Sequence, residues 1–361
     1  MCRNVFNHVL TISVNPDGRG GIASVVKVYK NNIYPFKYIA STNAEDSLCN
    51  IIIFMVAIFQ VILKITFDKS IKIVHIHGAS YRSFYRKYLF FFIVKKIFRK
   101  KVIYHIHGGK FDLFYDKANK KLRKKIRYFL EGVDLVICLS KEWEEYFLSE
   151  FNIQQIEVLN NIIQKPDLSQ KRSKKRNSKI KALFLGTIGK QKGTWDILDV
   201  IAKYTDELLP CFELLIGGNG DVKKLNDYIR KYDLAKIVKY VGWIQKKDKH
   251  EALLASDIYL LPSYHEGLPI SILEAMSYRL PIITTNVGGI PQLVKDFENG
   301  FLIQPGNQKE LIDTIRYFIS NRDKLISFGK KSEELVSDFL PKKVIDKLKN
   351  IYQDILRKQD H

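Results

Sequence analysis

At 361 residues, the chain is long enough for about two domains with cores of their own, needing neither disulfide nor metal staples. Its 46% hydrophobic and 27% charged residues exclude a disordered tail, a fibre and a polytopic membrane protein. Lys and Arg number 59 against 38 Asp and Glu, a formal net charge of +21, which points to a polyanionic neighbour.

The start of the chain, MCRNVFNHVLTISV, lacks a basic opening, a continuous apolar stretch and a small-residue cleavage site, so no export signal is expected. Cys2, Cys49, Cys138 and Cys211 have no paired spacing, which argues against zinc and against a secreted disulfide framework. A reducing cytoplasm is the expected setting.

An early strand should run into Gly18, Gly20 and Gly21, which bracket Arg19 before a helix beginning near Ile22. Such a turn lets backbone approach a ligand closely. Ile51 to Leu63 is apolar except for Gln60; its 13 residues are too few to span a bilayer and read as a buried helix. Strands follow at Lys72 to Ile76, Val102 to Ile106, Leu135 to Leu139 and Ile156 to Leu159, separated by helical stretches. Tyr81 to Lys101 interleaves Arg and Lys with Phe, Leu and Ile, the composition either of a helix in a headgroup region or of an ordinary basic helix on its sheet. Residues 64 to 127 hold 19 basic and 3 acidic residues. Nucleic acid and an anionic lipid surface both suit that excess, but no nucleic-acid recognition module is present.

Residues 164–179, QKPDLSQKRSKKRNSK, are polar and aperiodic and read as a linker. The rhythm then restarts, with strands expected at Lys181 to Leu185, Phe212 to Ile216, Ile237 to Val241, Ile258 to Leu261 and Pro281 to Thr285. Alternation of this kind predicts an α/β protein of two open parallel sheets covered by crossover helices. Three terminal helices are expected at Gln308 to Ser320, Arg322 to Ser337 and Lys342 to Leu356. The domains thus read as 1–163, 180–340 and a C-terminal helix 341–361 that crosses back onto the first.

The sharpest local signal is Ser263 to Met276, SYHEGLPISILEAM. Gly267 offers a permissive turn, and Pro269 sits where a first helical residue loses nothing by lacking an N–H. A helix starting there points free amides at the carboxyl end of the preceding strand, a setting suited to phosphate. Glu266 falls just before this helix and Glu274 within it. Spacing alone leaves a cap and a solvated glutamate as an equal alternative.

Residues 261–306 resemble closely the nucleotide-binding core of retaining glycosyltransferases of family 4. The likeness is carried by the two glutamates with seven residues between them, the P-I-I-T-T strand, the VGGIP turn and the ENGFL turn. It extends thinly through GRGGIASVV, HIHGG, FLGTIGKQKG and VGW. The resemblance implies a GT-B architecture, two Rossmann-like domains with parallel sheets facing across a cleft. It further implies that Glu274 binds the ribose of a nucleotide sugar and that Glu266 contacts the donor sugar near the reacting carbon. Gly267, Leu268, Pro269, Ile270 and Ser271 would hold the diphosphate, and Lys192 would neutralise the leaving group.

Gly20, Gly21 and Gly186 would border the donor, with Lys190 a substitute for an arginine the family carries where this chain has Thr187. His107 would touch the donor sugar or orient the acceptor; His77 is an acceptor-side candidate and His75 a packed residue. Arg279 replaces a family glycine. No metal and no other cofactor is expected, since neither HIHG shows a ligand cluster. The implied partners are a nucleotide sugar, a saccharide or lipid-linked acceptor of bacterial surface polysaccharide synthesis, and an anionic membrane at its cytoplasmic face, with no nucleic acid. A catalytically silent sugar-nucleotide binder and, further off, a nucleic-acid-binding protein are the competing readings.

Overall fold

The computed structural model describes residues 4–43, 47–169 and 179–358. The chain divides into two compact units, Met1–Gln164 with Asp338–His361, and Lys165–Ser337. Most of the expected linker, residues 170–178, lies outside the described residues.

Six parallel strands form the sheet of the first unit: β1 (Val9–Ser13), β2 (Lys37–Ala40), β3 (Ile73–Gly78), β4 (Lys101–Ile106), β5 (Leu135–Cys138) and β6 (Ile156–Val158), in the order β2-β1-β3-β4-β5-β6. Register pairs Leu10 with Val74, Val74 with Val102 and Tyr104 with Val136. Because side chains alternate along a strand, the two faces differ in kind. Leu10, Ile12, Val74, Ile76, Val102 and Tyr104 join Phe84, Phe90, Phe91 and Phe129 in one core, each large side chain contributing about 1.5–3 kcal/mol by leaving water. The opposite face carries His75, His77 and His105, all buried.

The terminal helix Pro341–Arg357 belongs to this first unit. Tyr352 anchors it, packing its ring edge-on to Phe6 at 5.9 Å and placing its hydroxyl 2.5 Å from His75 Nδ1.

The second unit repeats the plan with β7 (Ile180–Leu185), β8 (Phe212–Gly217), β9 (Val238–Tyr240), β10 (Ile258–Leu261), β11 (Ile282–Thr285) and β12 (Gly300–Ile303), in the order β12-β11-β10-β7-β8-β9, again all parallel. Interior strands fall within two residues of their expected positions, because they are buried on both faces and read as continuous apolar runs.

Several expectations change. Edge strands β2 and β12 were not expected as strands: β2 has only four residues, and the ENGFL segment, read as a turn, runs on as β12. The apolar segment at 51–63 is part of a longer helix, Ser47–Phe67. That helix is not buried, for Ile52 is 67% and Phe59 62% exposed. Tyr81 to Lys101 is not one straight helix. Arg82–Phe91 is α-helical and Phe92–Ile97 widens to a π-helical turn, in which Phe98 N–H donates to the Ile93 carbonyl.

Candidate nucleotide-sugar site

In the second unit, β10 ends at Leu261 and the chain turns through Ser263 and Glu266 into the helix Ile270–Ser277. Pro269 occupies the position just before the helix rather than its first residue, with φ −70° and ψ 117°. The fixed proline φ serves there equally well. No side chain caps this helix, and its first-turn amides have no acceptor within it. They lie at the carboxyl end of the sheet, where open α/β proteins bind ligands.

The turn is held from several sides. Thr284 Oγ1 donates to the Leu261 carbonyl at 2.7 Å and Thr285 Oγ1 to that of Ser263 at 2.5 Å, so the two threonines of the P-I-I-T-T strand clamp the end of β10. Gly289 N–H donates to the Gly267 carbonyl at 2.7 Å. A Cβ on Gly288, whose φ is +52°, would stand 2.0 Å from the Glu266 carbonyl oxygen. The VGGIP glycines therefore let one turn lie directly on the other. Gly267 was expected to supply the permissive conformation; where these turns meet, Gly193 and Gly288 are among the glycines with positive φ and Gly267 is not.

Glu266 is 7% exposed, and its Oε1 accepts from Lys192 Nζ at 2.5 Å and from Ser263 Oγ at 2.8 Å. Lys192 comes from the loop after β7, where Gly193 has φ +69° and a Cβ would stand 2.1 Å from the Pro262 carbonyl oxygen. Only glycine permits that approach. The two loops are further tied by Tyr264 N–H, which donates to the Gln191 carbonyl at 2.8 Å. Lys190 is exposed in the same loop, as is Thr187, and Gly186 N–H donates to the Gly217 carbonyl at 3.1 Å.

Glu274 sits one turn into the helix, its Oε1 2.5 Å from Lys249 Nζ on the helix Lys246–Ala255. Sequence reasoning missed Lys249, because nothing local links it to a residue 25 positions away. Tyr264 Oη donates to Asp196 Oδ1 at 3.2 Å; burial pushes the Asp196 carboxyl up, against the lowering effect of that bond.

Arg279, expected to make its turn without glycine's freedom, adopts a left-handed backbone at φ +59°. Its guanidinium holds Glu333 with two bonds, at 2.7 and 3.0 Å. Gly329 allows the helix Lys324–Val336 to lie against this turn, since a Cβ there would stand 2.4 Å from the Arg279 carbonyl oxygen.

In the first unit, Gly20 has φ +108° and precedes the helix Gly21–Asn32. At the carboxyl end of β4, His107 is partly exposed and its Nε2 lies 2.8 Å from His77 Nδ1. Asn161 also hydrogen-bonds His107. His77, expected to face an acceptor, is 1% exposed; it stands beneath His107 and fixes that ring. Gly78 is glycine because a Cβ would stand 2.5 Å from the buried Tyr104 ring.

The two HIHG segments were expected to form no ligand cluster, yet they do. His75, His77 and His105 bring one ring nitrogen each within 4.8 Å of one another, because alternate residues of adjacent strands share a face. His75 is stacked on His77 at 4.3 Å and on His105 at 5.4 Å. Burial holds His75 down to about 3 and His107 down to about 4, and pushes His77 and His105 well below the ordinary imidazole range. All four are neutral at pH 7.

A profile described as glycosyl transferases group 1 matches residues 166–335. Over 276 residues, 71% of this chain and 69% of the relative, the sequence is 31% identical to UDP-Gal:alpha-D-GlcNAc-diphosphoundecaprenol alpha-1,3-galactosyltransferase of Escherichia coli. It is 27% identical over 270 residues, 71% of this chain and 72% of the relative, to a 41.2 kDa protein in the cps region of Klebsiella pneumoniae. Sucrose-phosphate synthase from Thermosynechococcus elongatus superposes with a TM-score of 0.76 at 16% identity, over 97% of this chain and 99% of that one. Anabaena HepE in complex with UDP gives 0.73 at 17% identity, over 98% and 99%. The two six-stranded parallel sheets are those of the GT-B fold, and the chain belongs to the glycosyl transferases group 1 family.

Proposed function

We propose that the chain is a retaining hexosyltransferase that moves a sugar from a nucleoside diphosphate donor to a lipid-diphosphate-linked saccharide in bacterial surface polysaccharide assembly. The observation that carries this reading is the Lys192–Glu266 pair beside the uncapped helix that bears Glu274. Cation, free amides and two carboxylates there match the diphosphate, ribose and sugar of one donor.

Glu274 accepts hydrogen bonds from the ribose hydroxyls, and Leu268 to Ser271 line the diphosphate. Lys192 and the helix N-terminus stabilise the charge that grows on the departing phosphate. That pair of effects does the work a divalent metal performs in other transferases, so no metal is required. Glu266 receives a sugar hydroxyl next to the reacting carbon. Glu266, the carboxylate beside the reacting carbon, is already paired with Lys192, which favours attack on the face that the phosphate leaves, with the phosphate oxygen taking the acceptor's proton. His107, neutral and held by His77 and Asn161, orients the acceptor hydroxyl.

The acceptor's lipid places the enzyme at the cytoplasmic face of an anionic membrane, and the basic first unit suits that surface at about 1 kcal/mol per Lys or Arg near it. The test is transfer from a panel of nucleotide sugars to a lipid-diphosphate monosaccharide, with the product anomer read by NMR. One donor giving a product of unchanged anomeric configuration is the expected result; an inverted product overturns same-face attack. Donor binding with no transfer to any acceptor identifies a silent binder, as the exposed Thr187 in place of arginine would favour.

A further inference from the structure

The helix Ser47–Phe67 is apolar on every side, the pattern of a helix enclosed by others, yet it is not enclosed. Ala57, Val61 and Ile65 are buried against the sheet, and Phe54 meets Phe90 edge-on at 5.4 Å. On the other side Ile51, Ile52, Met55, Phe59, Ile62 and Phe67 are between 36% and 79% exposed. With 3.6 residues per turn, these six fall within an arc of about 160°. A contiguous apolar stripe of this length on a water-facing surface marks an interaction site.

Its surroundings are cationic. The neighbouring helix and its π-helical extension expose Tyr85, Leu89, Phe92 and Ile97 among Arg82, Lys96 and Arg99. Tyr88 packs against Tyr128 at 6.4 Å, and so brings alongside the helix Lys120–Gly132 with its exposed Lys120, Lys121, Lys124 and Lys125.

We propose that this face of the first unit docks on an anionic bilayer, with helix Ser47–Phe67 lying in the membrane plane, its outer stripe among the upper acyl chains and the adjacent Lys and Arg on the lipid phosphates. The inference deepens the functional reading above and rests on it for the lipid-borne acceptor. The helix lies on the membrane and does not cross it. It is the crossover from β2 to β3, so spanning would strip Ala57, Val61 and Ile65 from the sheet. A bilayer fits better than a second copy, because a two-fold contact between copies would set like-charged flanks against each other.

The experiment is sedimentation of the full chain with phosphatidylglycerol-containing and pure phosphatidylcholine vesicles, at low salt and at about 1 M, where charge attraction reaches only ~3 Å. The wild type is expected to bind anionic vesicles and to keep part of that binding at high salt. The triple variant Met55→Ser, Phe59→Ser, Ile62→Ser keeps the charge and changes only exposed positions. It is expected to keep its melting temperature and to lose high-salt binding roughly tenfold or more.

Wild-type binding that vanishes entirely at high salt, or a triple variant that binds like wild type, overturns the proposal. So does a wild-type dimer in analytical ultracentrifugation that ignores vesicles and that the triple variant converts to monomer. Transfer to a short-tailed, water-soluble acceptor separates the two claims. Activity there without vesicle binding sinks the anchor alone, whereas vesicle binding without activity on any acceptor sinks the transferase reading.

Discussion

Lys192 and Glu266, 74 positions apart in the chain, meet as an ion pair, Nζ to Oε1 at 2.5 Å, with the carboxylate 7% and the lysine side chain 23% exposed. An ammonium has three N–H donors, so this partly open lysine can reach a diphosphate with those that remain while Glu266 keeps its counter-ion. Lys192→Ala is therefore expected to lower kcat by about 10²–10³, the cost of losing one preorganised stabiliser of developing charge, and to weaken nucleoside diphosphate binding. Glu266→Gln should lower kcat and leave nucleoside diphosphate affinity unchanged. Steady-state kinetics with calorimetric titration of the diphosphate decide it; equal binding losses in both variants would remove the division of roles.

Glu274 and Lys249 test whether a carboxylate serves substrate or structure. Their pair is partly exposed, and exposed pairs are worth about 0–1 kcal/mol, so Lys249→Met should change stability and donor affinity little. Hydrogen bonds to a charged acceptor are worth about 1.5–3 kcal/mol. On that basis Glu274→Ala should weaken the donor roughly 10- to 150-fold. Equal effects of the two substitutions on the donor dissociation constant would make Glu274 a structural residue.

The histidine face makes the first unit acid-sensitive. His75 is held at about 3 and His107 at about 4, against about 6.5 in an unfolded chain. Between those values the unfolded state binds protons that the folded state refuses. The histidines' contribution to stability is thus complete above about pH 6.5 and is lost as pH drops towards 4, each histidine adding about 1.4 kcal/mol per pH unit to the slope. Urea midpoints from pH 7 to pH 5 should fall steeply for wild type and less steeply for His105→Phe, which removes a ring with both nitrogens buried and unpartnered. Identical slopes would refute this account of the cluster.

Arg279 sits at φ +59°, where a residue with a Cβ costs about 1–2 kcal/mol, and its bidentate hold on Glu333 offsets part of that. Arg279→Ala keeps the strain and loses the pair; Arg279→Gly loses both. Glycine is accordingly expected to be more stable than alanine by about 1 kcal/mol. Chemical denaturation yielding the same midpoint for the two variants would show that the turn carries no strain.

Much of this architecture was legible in the residues. Interior strands such as Val102 to Ile106 announce themselves because both faces are buried, and Glu266, Gly267 and Glu274 stand in one contiguous segment. What escaped was decided by tertiary contact. Lys249 reaches Glu274 across helices, and Thr284 and Thr285 act on a neighbouring strand. The edge strands are short and border turns, so no long apolar run marks them. Helix Ser47–Phe67 could not be assigned a side from its sequence, since a helix apolar all round gives no sign of which face the sheet takes. The period-two spacing of His75 with His77 and of His105 with His107 did contain their shared face, but only strand register brings the two pairs together.

The uncapped helix at Ile270, with Lys192, Glu266 and Glu274 around it, is proposed to receive a nucleoside diphosphate sugar. Thermal denaturation across a panel of nucleoside diphosphates and their sugar conjugates tests this most directly, because a ligand bound only by the folded state must raise its stability. Compounds of one base are expected to raise the melting temperature of the wild type by several degrees and to leave Glu274→Ala nearly unmoved. A wild type unmoved by every compound at saturating concentration, or a Glu274→Ala variant that shifts as the wild type does, would contradict it.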